Sequence, residues 1–322
     1  MVLAVRTSAL LKPFSCVVAA LVVIALLLPS SDDPSGQRAP GRAPLLLLTV
    51  NHDNGRLGNK MFKYASLLGV ARANGRHPFV NPYEADLDMA RVFNLTHVEL
   101  HDDVEWGYPL FGWSRVHETQ YAYFDPVFRK LPSRDISLRG WMQSWKYFDL
   151  VQAEVRKEFT LVPSLRSHAE NFKQEIRRSM PHKDLEFVAV HVRHTDQYSV
   201  KRMITCVAPK SFYVNAFNKM RTLLPDKTLV FVVAGNNLTW CKENILGNDV
   251  IVLPPQPPEV HFAVLSSCDH GIVSVGTYGW WAAWLTGGHV IYYTKFPVEG
   301  SHEAIHFVRE DYYPPAWIAV DD

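Results

Sequence analysis

The chain carries almost no net charge: 33 Lys and Arg stand against 32 Asp and Glu. No basic block is dense enough to follow a phosphate backbone, so no nucleic acid partner is expected. Cysteine is scarce as well. Of the four cysteines, Cys16 lies in an apolar N-terminal run, leaving Cys206, Cys241 and Cys268. Three are too few for a disulfide framework, though one bridge plus a spare thiol fits. Neither GxxxxGK[S/T] nor GxGxxG occurs, which removes the signatures of P-loop kinases and dinucleotide enzymes. There is no internal repeat. What remains is ordinary for a globular chain, 48% hydrophobic and 20% charged, with enough length for one large or two modest domains.

The N-terminus departs from that average. Residues 1–13 form a short tail with Arg6 and Lys12, and "FSCVVAALVVIALLL" (Phe14 to Leu28) follows without a charge. Asp32 and Asp33 come next, so the charge asymmetry puts the tail in the cytosol and the rest across a membrane. A cleaved signal peptide is the rival, since the run is short for a full span. Leu28-Pro29-Ser30 makes a poor cleavage site, which favours a retained single-span signal anchor, and a short span suits the thinner early secretory membranes. Residues 29–43, rich in Pro, Ser and Gly, read as a flexible stem. Asn94-Leu95-Thr96 and Asn237-Leu238-Thr239 are glycosylation sequons, in keeping with a lumenal compartment.

Two α/β units are expected, over residues 44–180 and 181–322. In the first, "LLLLTV" (Leu45 to Val50) suits a buried strand, a polar loop follows, and Met61, Tyr64, Ala65, Leu68 and Ala71 mark one helix face ending at Asn74-Gly75. "HPFVNP" reads as the next strand. From Tyr83 to Phe148 the pattern loosens and aromatics crowd in, among them Trp106, Tyr121, Trp141, Trp145 and Tyr147. Most are expected in the core, with the rest free to form a stacking wall for a sugar ring. In the second unit, strands are expected at Phe187–Arg193, Leu229–Ala234, Val250–Leu253, Gly271–Val275 and Val290–Tyr293, with helices between them. Apolar strands alternating with helices indicate a parallel sheet covered on both faces.

In such sheets ligands sit beyond the carboxyl ends of the strands. "FVAVHVRHTDQY" places His191, Arg193, His194 and Asp196 there. An arginine fork suits a diphosphate, while the alternation of side chains sends the two histidines to opposite faces and argues against a metal site. A surface salt-bridge cluster is the plainer alternative. "CDHGIVSVGTYGWWAAWLTGG" is a second strand–loop–helix, in which Ser274, Gly276, Thr277 and Gly279 offer hydroxyls and open amides at a helix start. With the Gly55–Lys60 loop, three such loops point to a phosphorylated donor held between the units. No acidic DxD pair stands in a plausible donor loop, Asp86-Leu87-Asp88 falling in a helix-like stretch. Diphosphate charge then falls to arginine, histidine and helix termini, and no metal cofactor is expected.

Four ordered blocks carry a resemblance: "GRLGNKMFKYASLLGVARANGR", "HVRHTD", "FVVAGNNLTWCKENI" and "FAVLSSCDHGIVSVGTYGWWAAWLTGG". Together they resemble the galactoside α-1,2-fucosyltransferase family. The resemblance implies inverting transfer of fucose from GDP-fucose to the 2-hydroxyl of a terminal β-galactose on a glycan. It also implies a glycosyltransferase-B fold, two Rossmann-like units facing a donor cleft, and a type II Golgi membrane protein. In that family's HxRRxD block the first arginine, here Arg193, serves the donor phosphates. His191 would lie beside the nucleotide, Asp196 would brace the loop or Arg193, Gly58 and Asn59 would border the donor or acceptor, Asn236 would lie at the donor, and Ser274, Gly276 and Thr277 would complete the phosphate pocket. Two positions depart: His194 replaces the second arginine, and Lys60 replaces the usual glutamine after Asn59. Lys60 could return the missing charge from the other unit. Asp196, Asp269 and His194 stand as candidate bases, unranked. The rival readings are another fucosyl linkage or acceptor, and an inactive membrane-anchored glycan-binding relative.

Overall fold

The computed structural model describes residues 47–50, 55–78, 80, 87–96, 114–181, 183–194 and 207–322, with 47–50, 87, 88 and 302 as backbone only. The expected anchor and stem, the Trp106 aromatics, Asp196 and Cys206 lie outside the described residues.

In chain order the first part holds β1 (Leu47–Val50), α1 (Leu57–Ala73), β2 (His77–Pro78), α2 (Leu87–Ala90), β3 (Ser114–His117), β4 (Ile136–Arg139), α3 (Gln152–Glu158) and α4 (Pro163–Ser179). The second part holds β5 (Leu185–Val192), α5 (Lys210–Leu223), β6 (Thr228–Gly235), α6 (Leu238–Asn244), β7 (Val250–Val252), α7 (Pro258–Ser266), β8 (His270–Val273), α8 (Thr277–Thr286), β9 (Val290–Tyr293), α9 (His302–His306), α10 (Arg309–Tyr312) and β10 (Ile318–Val320). Two sheets form, in the orders β2-β1-β4-β3 and β10-β9-β8-β5-β6-β7, and every strand pair is parallel. Residues 45–322 make one compact unit.

The order of the larger sheet positions the site. From β5 the chain winds outward through β6 and β7, then returns to the other side of β5 for β8, β9 and β10. This is the doubly wound order, and its switch point lies between β5 and β8. β5, "LEFVAVHV", is buried along nearly its whole length, as an apolar run covered on both faces must be. His191 pairs with Ala234 on one side and Val273 on the other, so the carboxyl ends of β5, β6 and β8 lie abreast. The strand ends at Val192, one residue short of the expected boundary; Arg193 is already in the loop.

Two helices with no polar face join the sheets. In α8, Trp280, Trp281, Ala282, Ala283 and Trp284 are all buried, and in α1 burial runs without a break from Met61 to Ala71. Helices apolar all round must be enclosed, and these two enclose each other: Phe62 of α1 meets Trp280 at 4.6 Å and Trp281 at 5.0 Å between ring centroids. By contrast α4 buries only a stripe, Leu165, Ala169, Lys173 and Ile176, at helical spacing.

Strands β3, β4 and β10 fall where no apolar run marks them. β3, "SRVH", alternates partly buried and exposed residues, and β10 has three residues; both are edge strands. Beneath the smaller sheet, Glu158 is fully buried. It accepts from the Tyr64 hydroxyl at 2.6 Å, from Thr96 N at 2.8 Å, and from the Thr96 hydroxyl. Glu158→Ala removes the acceptor of all three bonds and should cost about 3 kcal/mol, read from the urea midpoint.

Candidate active site

A cleft of about 1460 Å³ opens where the carboxyl ends of both sheets face each other. Its walls are the strand ends and the turns that follow them: Gly55–Lys60 around the start of α1, Thr119–Tyr121 after β3, Trp141 and Gln143 after β4, His191 and Arg193 at the end of β5, Gly235 and Asn236 at the end of β6, and Val275–Tyr278 between β8 and the first turn of α8. Arg56, Lys60, Arg91 and Arg193 line it against two carboxylates, Glu259 and Glu303, which suits an anionic ligand.

At its floor two helices start side by side. A Cβ on Gly58 would lie 2.5 Å from the carbonyl carbon of Thr277 and 2.6 Å from Tyr278 N, so only glycine allows the approach. Neither helix start is capped by a side chain: the residues before them, Arg56 and Gly276, make no such bond. The first turns therefore present amides without intrahelical partners, and the positive ends of two helix dipoles point into one place. Gly276 takes a φ of +89°, which L side chains rarely adopt. One hydrogen-bond chain bridges the approach: Asn59 Oδ1 accepts from the Thr277 hydroxyl at 2.7 Å and from Gln143 Nε2 at 3.1 Å.

Several expected ligand contacts are instead braces. Ser274 is fully buried and absent from the cleft wall; its hydroxyl donates to His191 O at 3.1 Å and accepts from Arg193 N at 3.0 Å. It holds the β5 exit where Arg193 can reach the cleft. Asn236 borders the cleft, but its amide is spent on the next loop, accepting from His194 N at 2.8 Å and donating to His194 O at 2.7 Å. The Thr277 hydroxyl is directed at Asn59, leaving the backbone of that turn to face a ligand.

His194 stacks on Trp240, 4.8 Å between centroids, and is not part of the wall, so it is not placed to supply the charge of a second arginine. Lys60 does line the cleft. Asp269 leaves the base candidates: it accepts from Phe187 N at 2.8 Å, four residues before His191, roughly 13 Å back along the strand at about 3.3 Å per residue. His191 stays within reach, 8% exposed and part of the wall. Its Nδ1 has no partner and lies against Gly279, where a Cβ would come within 2.4 Å. Burial, with help from Arg193, lowers its pKa to about 3, so the imidazole is neutral.

The region the sequence left vague supplies the opposite wall. Glu118, directly after β3, accepts from Trp141 N and Met142 N at 2.9 Å each, and from the Tyr147 hydroxyl at 3.2 Å. Burial raises its carboxyl to about 7. Trp141 is 40% exposed, so this member of the aromatic set is on the wall, whereas Tyr147 is core. Nothing in "HETQ" announces a partly buried carboxyl; the only signal is Gly140, 22 positions on, whose missing Cβ makes room for it. Cys241 and Cys268 are both buried free thiols. Among the described residues no cluster of three His, Cys, Asp or Glu side chains could hold a metal ion.

Fold and site together define a doubly wound α/β protein with a cationic cleft at its switch point. The chain belongs to glycosyl transferase family 11, whose model matches residues 17–321. It is 32% identical over 273 residues to galactoside alpha-(1,2)-fucosyltransferase 2 of Bos taurus, covering 83% of this chain and 77% of that protein. To galactoside alpha-(1,2)-fucosyltransferase 1 of Alouatta caraya it is 32% identical over 281 residues, covering 84% and 74%. In fold it is similar to the fucosyltransferase NodZ from Bradyrhizobium, with a TM-score of 0.50 and 12% identity over 76% of this chain and 94% of that one.

Gly58→Ala should push the two helix starts apart and lower donor affinity at least about 10-fold, at a stability cost of about 1–3 kcal/mol, checked by nucleotide titration and thermal melting. Glu118 gives a pH signature. Its folded value, about 7, exceeds the ordinary 4.5, so the folded state holds the proton more tightly. The stability linked to that proton is complete below the unfolded value and is lost as pH rises through the folded one. Wild type should lose up to about 3 kcal/mol relative to Glu118→Gln between about pH 5 and pH 8, read from thermal midpoints.

Proposed function

We propose that the protein transfers fucose from GDP-fucose to the 2-hydroxyl of a terminal β-galactose on glycans, with inversion and without a metal cofactor. The observation that carries this reading is the adjacent pair of uncapped helix starts beside Arg193, in a chain of glycosyl transferase family 11 whose relatives bear the name galactoside alpha-(1,2)-fucosyltransferase. We read the two sheets as the Rossmann-like halves of a glycosyltransferase-B fold, with the donor on the β5–β8 side and the acceptor opposite.

As the bond from fucose to phosphate lengthens, negative charge grows on the departing diphosphate. Arg193 and the amides at the starts of α1 and α8 are fixed in advance to receive it, and this is how preorganised dipoles lower a barrier. Lys60 adds charge from the acceptor half. The 2-hydroxyl attacks from the face opposite the leaving GDP. Phe14–Leu28 serves in this reading as a signal anchor, with the catalytic part in the Golgi lumen. Asn94 is exposed and suits glycosylation, whereas Asn237 already holds Trp240 N at 3.0 Å as the cap of α6.

The test is transfer of labelled fucose by the full chain to a panel of galactosides, with and without chelator. Chelator-resistant product carrying fucose on the galactose 2-hydroxyl is expected; transfer to another position, or GDP binding without transfer, would overturn the assignment. Arg193→Ala should weaken GDP binding about 30-fold or more, the scale of a charge-assisted contact, and Lys60→Ala by a smaller factor, both by calorimetry.

A further inference from the structure

The β4 exit is held in a conformation that its own backbone disfavours. Gly140 takes a φ of +138° and Met142 a φ of +55°, and Met142 is a fully buried non-glycine residue in the left-handed region. Strain of this kind persists only where the surroundings over-determine it. Here Glu118 accepts the two successive amides of Trp141 and Met142, the Ser66 hydroxyl donates to Met142 O at 3.1 Å, and the Ser144 hydroxyl donates to Asp311 O at 2.7 Å just beyond. Gly140 must be glycine for the same reason, because a Cβ would lie 2.5 Å from the Cβ of Glu118.

The clamp puts two side chains on the cleft wall. Trp141 keeps 40% of its surface exposed, with the Lys63 ammonium 5.5 Å from its ring centroid. Gln143 is 3% exposed, donates through Nε2 to Asn59, and leaves its buried Oε1 without a hydrogen-bond partner. An unpaired buried carbonyl is costly, and beside an exposed indole it selects a ligand with an apolar face and hydroxyl donors. A hexose has both. Through Asn59 the same glutamine is two hydrogen bonds from Thr277 at the start of α8.

We propose that Gly140–Gln143 is the seat of the acceptor sugar, in which Trp141 stacks on a hexose face, Gln143 Oε1 accepts a sugar hydroxyl, and Glu118 is the positioning residue that holds the loop. The identity of that hexose as the acceptor rests on the transferase reading; the seat itself rests on the geometry. Glu118 touches no substrate. It sets where the two contact residues stand, and the hydrogen-bond chain through Asn59 registers the seat against the donor turn.

The experiment is titration of the GDP-loaded full chain with phenyl β-galactoside, the matching β-glucoside and an α-fucoside, followed by ligand NMR, alongside transfer kinetics. Trp141→Ala and Gln143→Leu should each weaken glycoside binding about 10-fold or more, and in Trp141→Ala GDP affinity should stay within about twofold. Glu118→Ala should do the same through a raised acceptor KM. Glu118→Gln, which keeps an oxygen at the position accepting both amides, should restore most of the loss, a rescue that general damage to the fold would not show. Thermal melting checks the folding of each variant. Transfer by wild type with acceptor KM unchanged in Trp141→Ala and Gln143→Leu would overturn the seat and leave the transferase reading standing. Glycoside binding that needs Trp141 and Gln143, without any transfer, would uphold the seat and sink the transferase reading. Wild type that binds none of the three glycosides would overturn the seat.

Discussion

The approach of α1 and α8 at Gly58 and Thr277 is the constraint on which this molecule is built. Two helix starts carry about half a positive charge each, and bringing them together is unfavourable in the absence of an anion. The helices tolerate it because their bodies are buried all round and have nowhere else to go: Phe62 packs into Trp280 and Trp281, and Trp280 donates its indole N–H to Tyr312 O at 2.9 Å. Hydrophobic burial along the shafts holds together termini that would otherwise repel. The result is a site whose electrostatics exist before any ligand arrives, so little reorganisation is left when an anion binds there.

That constraint also explains why so many polar residues around the cleft do not touch its contents. Ser274 ties the β5 exit to the β8 exit, Asn236 ties the β6 exit to His194, and Asn59 ties Thr277 to Gln143. Each bond joins loops from neighbouring strands or from the two sheets. Loops at the ends of parallel strands have no ladder to fix them, so their positions must come from side chains of this kind. Glu118 is the largest instance. It spends its carboxylate on two amides of a single loop, and the two positive-φ residues there, Gly140 and Met142, are the conformations it makes tenable.

How much of this was legible in the sequence depended on burial pattern. β5, β6, β8 and β9 could be read because each is a short apolar run between turn residues, and α8 because an unbroken aromatic and aliphatic stretch after Gly276 has to be an enclosed helix. β3 and β4 could not, since "SRVH" and "ISLR" carry no signal that separates a strand from a loop; their partners in the ladder, not their composition, make them strands. Arg193 was expected at the cleft because loops after strands are where ligands go, and Asn59 and Lys60 because of the resemblance; all three line it. Ser274 was assigned to the ligand from its place at a strand end and Asn236 from the resemblance, and either argument locates a residue near a site but cannot tell contact from support. Asp269 was a candidate because an acidic side chain next to a strand looks alike at either end; only the register with Phe187 shows that it is at the amino end.

The two walls of the cleft differ in how they respond to protons. On the donor side the histidine that could have titrated is prevented from doing so: His191 is buried beside Arg193, and its value of about 3 keeps it neutral throughout the physiological range. A second positive charge there would compete with the arginine for the same anion and would come and go with pH; a neutral imidazole leaves the charge to a group that never loses its own. Opposite, Glu118 titrates near 7, in the middle of that range, with Asp125 and the Tyr147 hydroxyl facing it and the Trp141 and Met142 amides held by its ionised form. Both amides fall on Oε2, so a proton taken up on Oε1 leaves the loop held and changes the contact with the Tyr147 hydroxyl instead. Sensitivity to pH therefore belongs to the wall of Trp141 and Gln143, and the wall of Arg193 is insulated from it at His191.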